Sequence, residues 1–228
     1  MKIMSLTDIG VKRNENQDNY WSALLNIDNA EAGVICLCDG MGGLKNGGLA
    51  SKIVVESIRD GIKDGLMFRE LEDVLIQSSK TIYDLAQSMQ CMMGTTCTLL
   101  QCHNGKYEIL HVGDTRCYLL RGTNFSPLTV DHSALQQYHI TREANESLWR
   151  RYKNSLTRCI GVKPTVVVDY YSGYYQDGDV FFVCSDGLWH YFNSNSITKD
   201  DLFNLKGLIK KCIKEGELDN ITASLLCI

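Results

Sequence analysis

Apolar and polar positions along this chain fall into two periods. Runs such as Val34-Ile35-Cys36-Leu37-Cys38 and Val180-Phe181-Phe182-Val183-Cys184 are continuously apolar, short, and bounded by turn residues, which is the pattern of buried strands. Runs of this kind predict strands near 19–27, 33–38, 95–102, 106–112, 115–121, 165–172, 180–184 and 221–228. Asn104-Gly105 lies between two of them and supplies the positive-φ pair that a two-residue hairpin turn prefers. Three segments show helical spacing instead. The first, about 46–63, carries Leu49, Ile53, Val54 and Ile58 on one stripe; the second, about 69–90, carries Leu71, Val74, Leu75, Ile82, Leu85 and Met89. A third, about 199–215, turns Leu202, Leu205, Leu208, Ile209, Cys212 and Ile213 inward. A strand pair, a helix pair and then several strands with few crossovers predict α+β layers, with mostly antiparallel sheets covered by helices.

No repeat, low-complexity tract or linker interrupts the chain, so residues 1–228 read as one domain. The polar, charged stretch at about 131–155 reads as a helical flap over a sheet edge. A formal net charge of -4 argues against a nucleic-acid surface. No run approaches the roughly 18–20 apolar residues of a membrane span, and the first ten residues lack a signal-peptide core. The chain has 10 cysteines but no CxxC pair, and most sit inside apolar runs. They read as small buried hydrophobes in a reducing compartment, which places the protein in the cytoplasm. The chain ends just after its last strand, with no tail or anchor expected.

Acidic residues recur where apolar runs stop. Asp39-Gly40 follows the 33–38 run, Gly113-Asp114 follows 106–112, Asp186-Gly187 follows 180–184, and Asp219-Asn220 opens 221–228. Any one of these reads as a turn. Together they read as carboxylates brought from distant strand ends to hold a metal, and all-oxygen donors select a hard cation such as Mg²⁺ or Mn²⁺.

Further stretches fall in line with these: Thr7-Asp8-Ile9-Gly10 with Arg13 and Asn16-Gln17-Asp18; Cys38-Asp39-Gly40-Met41-Gly42-Gly43; Gly94-Thr95-Thr96; His111-Val112-Gly113-Asp114-Thr115-Arg116; Asp131-His132-Ser133; Leu156-Thr157-Arg158 with Gly161; Cys184-Ser185-Asp186-Gly187-Leu188; and Asp219-Asn220-Ile221-Thr222. In this order the chain resembles the metal-dependent type 2C protein Ser/Thr phosphatases, in particular their compact bacterial branch. The resemblance implies a four-layer α-β-β-α sandwich of two mainly antiparallel sheets flanked by helices. It implies two core ions, Mn²⁺ or Mg²⁺, with Asp39 bridging them, the Gly40 carbonyl on one, and Asp186 and Asp219 on the other. Asp114 would hold a third, weaker ion, Asp18 would bind water on the ions, and Arg13 would grip the substrate phosphate. Met41 stands where eukaryotic relatives commonly have a His, and it cannot donate a proton to the leaving group.

The implied activity is hydrolysis of phosphoserine and phosphothreonine in phosphoproteins by activated water, in a monomer opposing a bacterial-type Ser/Thr kinase. Two cations would supply hydroxide at neutral pH and offset the charge that makes a phosphate monoester so slow to hydrolyse. Plainer readings stay open residue by residue: Arg13 as a surface arginine, Asp18 as a turn cap, Asp114 as a hairpin turn. Cys184 and Ser185 lack the context of a nucleophile, and His132 is assigned no chemistry. Two other functions compete, a catalytically silent phosphoprotein-binding module and a phosphohydrolase of small molecules. Retention of all four carboxylates weighs against the first; a substrate panel separates the second.

Overall fold

The structure, a computed structural model, describes residues 1–41, 46–192, 197–216 and 219–228. Its strands are β1 (Lys2–Asp8), β2 (Asp18–Ile27), β3 (Ala30–Asp39), β4 (Cys97–His103), β5 (Lys106–Val112), β6 (Arg116–Arg121), β7 (Asn124–Pro127), β8 (Asp169–Tyr174), β9 (Val180–Cys184) and β10 (Ile221–Cys227). Its helices are α1 (Gly47–Lys63), α2 (Leu71–Ser88), α3 (Ala134–Gln137), α4 (Glu146–Tyr152), α5 (Asp186–Phe192), α6 (Lys199–Phe203) and α7 (Leu205–Lys214). All pairings are antiparallel and give two sheets, β1-β10-β9-β6-β7 and β2-β3-β4-β5-β8.

Alternation along each central strand explains why its sequence is apolar at every position. On β3, Ile35 and Leu37 enter the layer between the sheets, where they join Leu100, Phe181, Val183 and Leu226. The opposite face of the same strand sends Val34, Cys36 and Cys38 into a second layer with Val54 and Ile58 of α1 and Leu71 and Leu75 of α2. Strand β9 does the same for the other sheet, with Val180, Phe182 and Cys184 packing in the layer that holds Leu205, Leu208 and Cys212 of α7. Three apolar layers therefore separate four structural ones, in the order helix, sheet, sheet, helix. Among the described residues no helix is long and apolar enough to cross a membrane.

The elements depart from the sequence pattern in places with local causes. β1 has weak alternation of its own, and its strand form comes from a complete register with β10, Lys2↔Cys227 through Asp8↔Ile221. The edge strand β7 and the helix α5 also have no counterpart among the expected elements. The expected helix over 199–215 is broken at Asn204 (φ -117°, ψ 64°), whose side chain accepts from Gly207 N–H and so caps α7. Leu49 and Met89, placed on the inward stripes, are 38% and 47% exposed. The stretch 131–155 contains α3 and α4, separated by turn.

Phe181 is fully buried between the sheets. Phe181→Ala should cost about 3–5 kcal/mol in urea unfolding, while Leu49→Ala should cost under about 1 kcal/mol. Equal losses would contradict this assignment of the layers.

Candidate metal centre at the strand ends

Antiparallel pairing puts Asp18, the first residue of β2, directly opposite Asp39, the last residue of β3. Asp186 follows β9 and opens α5, Asp219 lies just before β10, and Asp114 sits in the turn between β5 and β6. Both sheets thus deliver carboxylates to one end of the sandwich. Their mutual electrostatics reflects this. The Asp39 carboxyl is pushed well above the usual carboxylate range, first by burial and then by the charges of Asp18, Asp186, Asp114 and Asp219. Asp114 is pushed up as well, by burial, Asp186 and Asp131, with Arg116 opposing.

Neighbouring hydroxyls and amides hold these groups in place. Ser185 Oγ and Thr222 Oγ1, both from the other sheet's side, donate to Asp18 Oδ2 at 2.8 and 2.6 Å. Asp18 Oδ1 is buried with no hydrogen-bond partner. Burial outweighs the two donated bonds and, with Asp186 and Asp219 nearby, lifts the Asp18 carboxyl to about 7. The backbone of Asp39 is clamped by successive threonines: its N–H donates to Thr96 Oγ1 at 2.9 Å, and its carbonyl accepts from Thr95 Oγ1 at 2.8 Å and Thr96 N–H at 2.9 Å. Gly40 is required by close approach, since a Cβ there would lie 2.4 Å from the carbonyl group of Gly47 and 2.7 Å from Gln17 O. Gly42 and Gly43 of the same motif lie outside the described residues.

The loop carrying Arg13 is tied down by Asn220. Its amide nitrogen donates to Ile9 O at 2.8 Å and Glu15 O at 3.1 Å, and its oxygen accepts from Gln17 N–H at 2.9 Å. Arg13 then forks the Asp219 carboxylate, Nε to Oδ1 at 2.7 Å and Nη2 to Oδ2 at 2.6 Å. That pair of bonds is the main reason the guanidinium is held above its ordinary value. Arg13, Asp18, Asp39, Asp114, Asp186 and Asp219 are therefore brought to one locality, with Gly40 beside Asp39. Ser185, Thr222, Thr95, Thr96 and Asn220 stood in the quoted motifs without a role. Their signal was adjacency to the acidic residues, which small polar residues show too often to be diagnostic.

Around Asp114, Trp189 Nε1 donates to the Asp114 carbonyl at 2.8 Å, and the Arg116 guanidinium lies 3.6 Å over the Trp189 ring. Arg116 also forks Asp131, at 2.9 and 2.7 Å. A cleft leads from Asp114 past Arg116 and Trp189 to His139, Trp149 and Lys153 of the 131–155 stretch. His132 Nδ1 accepts from Gly113 N–H at 3.0 Å, so its Nε2 carries the proton that faces Asp169 Oδ2 at 3.1 Å. Burial holds this imidazole below its ordinary pKa, and it serves as a structural pin under the Asp114 turn.

Among the described residues one group of three potential ligands has its donor atoms all within 4.8 Å of one another, and it is Cys36, Cys38 and Cys97. The carboxylates are more widely spread, with Asp219 engaged by Arg13. All ten cysteines are free thiols.

A family model described as protein phosphatase 2C matches residues 11–219. A putative protein phosphatase 2C-type of Streptococcus pyogenes is 31% identical over 99% of this chain and 97% of its own length. The protein phosphatase PhpP of Streptococcus pneumoniae is 30% identical, with the same coverage of 99% and 97%. The solved serine/threonine phosphatase of S. agalactiae superposes with a TM-score of 0.80 at 31% identity, covering 100% of this chain and 99% of that one.

Asp18 holds its proton more tightly folded than unfolded, so folding takes up a proton between the ordinary carboxylate range and pH about 7. Stability of the metal-free protein should therefore fall as pH rises through that window. Asp18→Asn, neutral at every pH, should lessen the fall and leave the variant more stable at pH 8, by at most about 4 kcal/mol. Urea unfolding in EDTA at pH 4 to 8 checks this; a variant less stable than wild type at pH 8 contradicts it.

Proposed function

We propose, from the premise that this chain belongs to the protein phosphatase 2C family, that the carboxylate end of the sandwich is its catalytic centre. The chain is a metal-dependent protein phosphatase acting on phosphoserine and phosphothreonine. In our reading Asp39, the Gly40 carbonyl, Asp186 and Asp219 hold two divalent cations, Mn²⁺ or Mg²⁺, and Asp114 contributes to a third, weaker site. The observation that carries this is the convergence of carboxylates from both sheets, with Asp39 pushed well above its usual pKa by burial and then by the charges of its neighbours, and Asp18 Oδ1 buried without a partner. Such a concentration of negative oxygen donors fits a hard divalent cation and is costly without one.

The chemistry that cations supply when held there is activation of water at neutral pH and neutralisation of phosphate charge. Asp18, fixed through Oδ2 by Ser185 and Thr222, keeps Oδ1 as an acceptor that can orient a water proton. Arg13 presents a planar fork that already grips the two oxygens of one anion, and a phosphate dianion offers the same geometry. Engaging phosphate would require the fork to leave or share Asp219. The Asp114 cleft, bounded by Arg116, Trp189 and the flap at 131–155, is where residues flanking the phosphorylated one would lie. Substrates would be phosphoproteins marked by a Ser/Thr kinase, and the enzyme would work as a cytoplasmic monomer with one domain over 1–228.

Hydrolysis of a phosphothreonine peptide should vanish in EDTA and return with Mn²⁺. Asp39→Asn and Asp186→Asn should remove turnover at saturating metal while keeping the fold, and Asp114→Ala should lose turnover on phosphoproteins while two ions remain bound by titration calorimetry. Full activity after exhaustive metal removal would contradict the reading.

Arg13→Ala should lower kcat/KM on the same peptide by roughly tenfold to a few hundredfold, and Arg13→Lys should recover only part of that, because it keeps the charge but loses the fork. A change within about twofold for Arg13→Ala would make it a surface residue.

A further inference from the structure

Behind the carboxylate end lies a group of side chains that phosphate hydrolysis does not use. Cys36 and Cys38, two residues apart on β3, project to the same face. The register Cys36↔Leu99 and Leu37↔Thr98 brings Cys38 opposite Cys97 at the start of β4. All three belong to the apolar layer under α1 and α2, and none has solvent exposure. Their sulfurs lie within 4.8 Å of one another, with Cys36 Sγ 4.0 Å from Cys97 Sγ.

These spacings match a metal site. A cation bonded to three thiolates at about 2.3 Å sits in a sulfur triangle with an edge of about 4 Å. The donor set contains sulfur only, which selects soft, thiophilic ions over the hard ions suited to the carboxylates. Zn²⁺ in a structural site takes four ligands, and no fourth His, Cys, Asp or Glu donor completes this group among the described residues. Monovalent copper is content with three sulfurs and a dry pocket. We infer that Cys36, Cys38 and Cys97 form a three-sulfur binding site for Cu⁺, separate from the phosphatase centre.

Copper enters as Cu⁺, so no electron moves; each sulfur that becomes a thiolate ligand releases its proton to solvent. The site abuts the catalytic strand end, because Cys38 precedes Asp39, and Thr96, which precedes Cys97, bonds the Asp39 backbone. Since the sulfurs are sealed from solvent, loading requires opening of the α1–α2 layer or takes place during folding.

The test uses the full chain with Mn²⁺ present, in a background where the part-exposed Cys91, Cys159 and Cys227 are changed to Ser. Cu⁺ is supplied anaerobically as its bicinchoninate complex, both to folded protein at equilibrium and during refolding. The expected result is one equivalent of copper held against the chelator, with X-ray absorption showing three sulfurs at about 2.3 Å and no nitrogen or oxygen. Cys97→Ser should weaken retention at least tenfold, whereas Cys212→Ser, buried under the other sheet, should not. If Cys97→Ser fails to fold, Cys36→Ser in the same background takes its place, with the same loss of retention expected; retention unchanged on loss of a cluster sulfur would overturn the assignment. No sulfur-bound copper by either route, or preferential Zn²⁺ binding with a fourth nitrogen or oxygen ligand, would overturn the inference.

Discussion

Carboxylates packed within reach of one another's charge, in a place where burial already disfavours ionisation, impose the main constraint on this molecule. Asp39 is the centre of that problem, because Asp18, Asp186, Asp114 and Asp219 all raise its pKa after burial has done so. A fold can hold such a group only if rigid backbone fixes each carboxylate and some compensating charge is available. The rigid part is visible in the clamping of Asp39 by Thr95 and Thr96, and in the tether of Asp18 to Ser185 and Thr222 across the two sheets. One compensating charge is Arg13, which neutralises Asp219. Divalent cations would supply the rest, which is why the proposed chemistry and the electrostatics of the fold are one subject.

The sandwich serves that end by construction. Two sheets packed face to face bring strand ends together from distant parts of the chain, and the turn after a strand is where an acidic residue can leave the apolar layer. Glycine beside it has a packing reason in each sheet: Gly40 admits the backbone of Gly47, and Gly10, at φ +74°, passes where a Cβ would lie 1.9 Å from Asp219 O. The Asp114 turn differs in having its own support, the neutral His132 below and Trp189 beside it. Most of the other residues that line its cleft come from 131–155, so this carboxylate is the one most exposed to changes in that segment.

Much of this was legible in the sequence, for identifiable reasons. Strands β3 and β9 are buried on both faces and therefore read as unbroken apolar runs, and the acidic residues stood out at the ends of such runs, Asp39, Asp114 and Asp186 after one and Asp219 before one. β1 was not legible, because its strand character depends on pairing with β10 at the far end of the chain. The break at Asn204 was hidden by an apolar stripe that continues in phase through it, although an asparagine cap three residues before a glycine was a usable cue. The contact of Arg13 with Asp219 joins residues 206 apart, which no spacing rule anticipates. Burial of Cys36, Cys38 and Cys97 was correctly expected from their apolar surroundings, while their mutual proximity needed the β3–β4 register.

The most direct measurement is the anomalous-scattering map of crystals grown with Mn²⁺ and a phosphate analogue. The account expects two strong peaks at the strand ends, with Asp39 on both, Asp186 and Asp219 on one, and the Arg13 fork moved from Asp219 to the analogue. It would be contradicted by a map with no peak at these carboxylates and with Arg13 still bonded to Asp219 at saturating Mn²⁺.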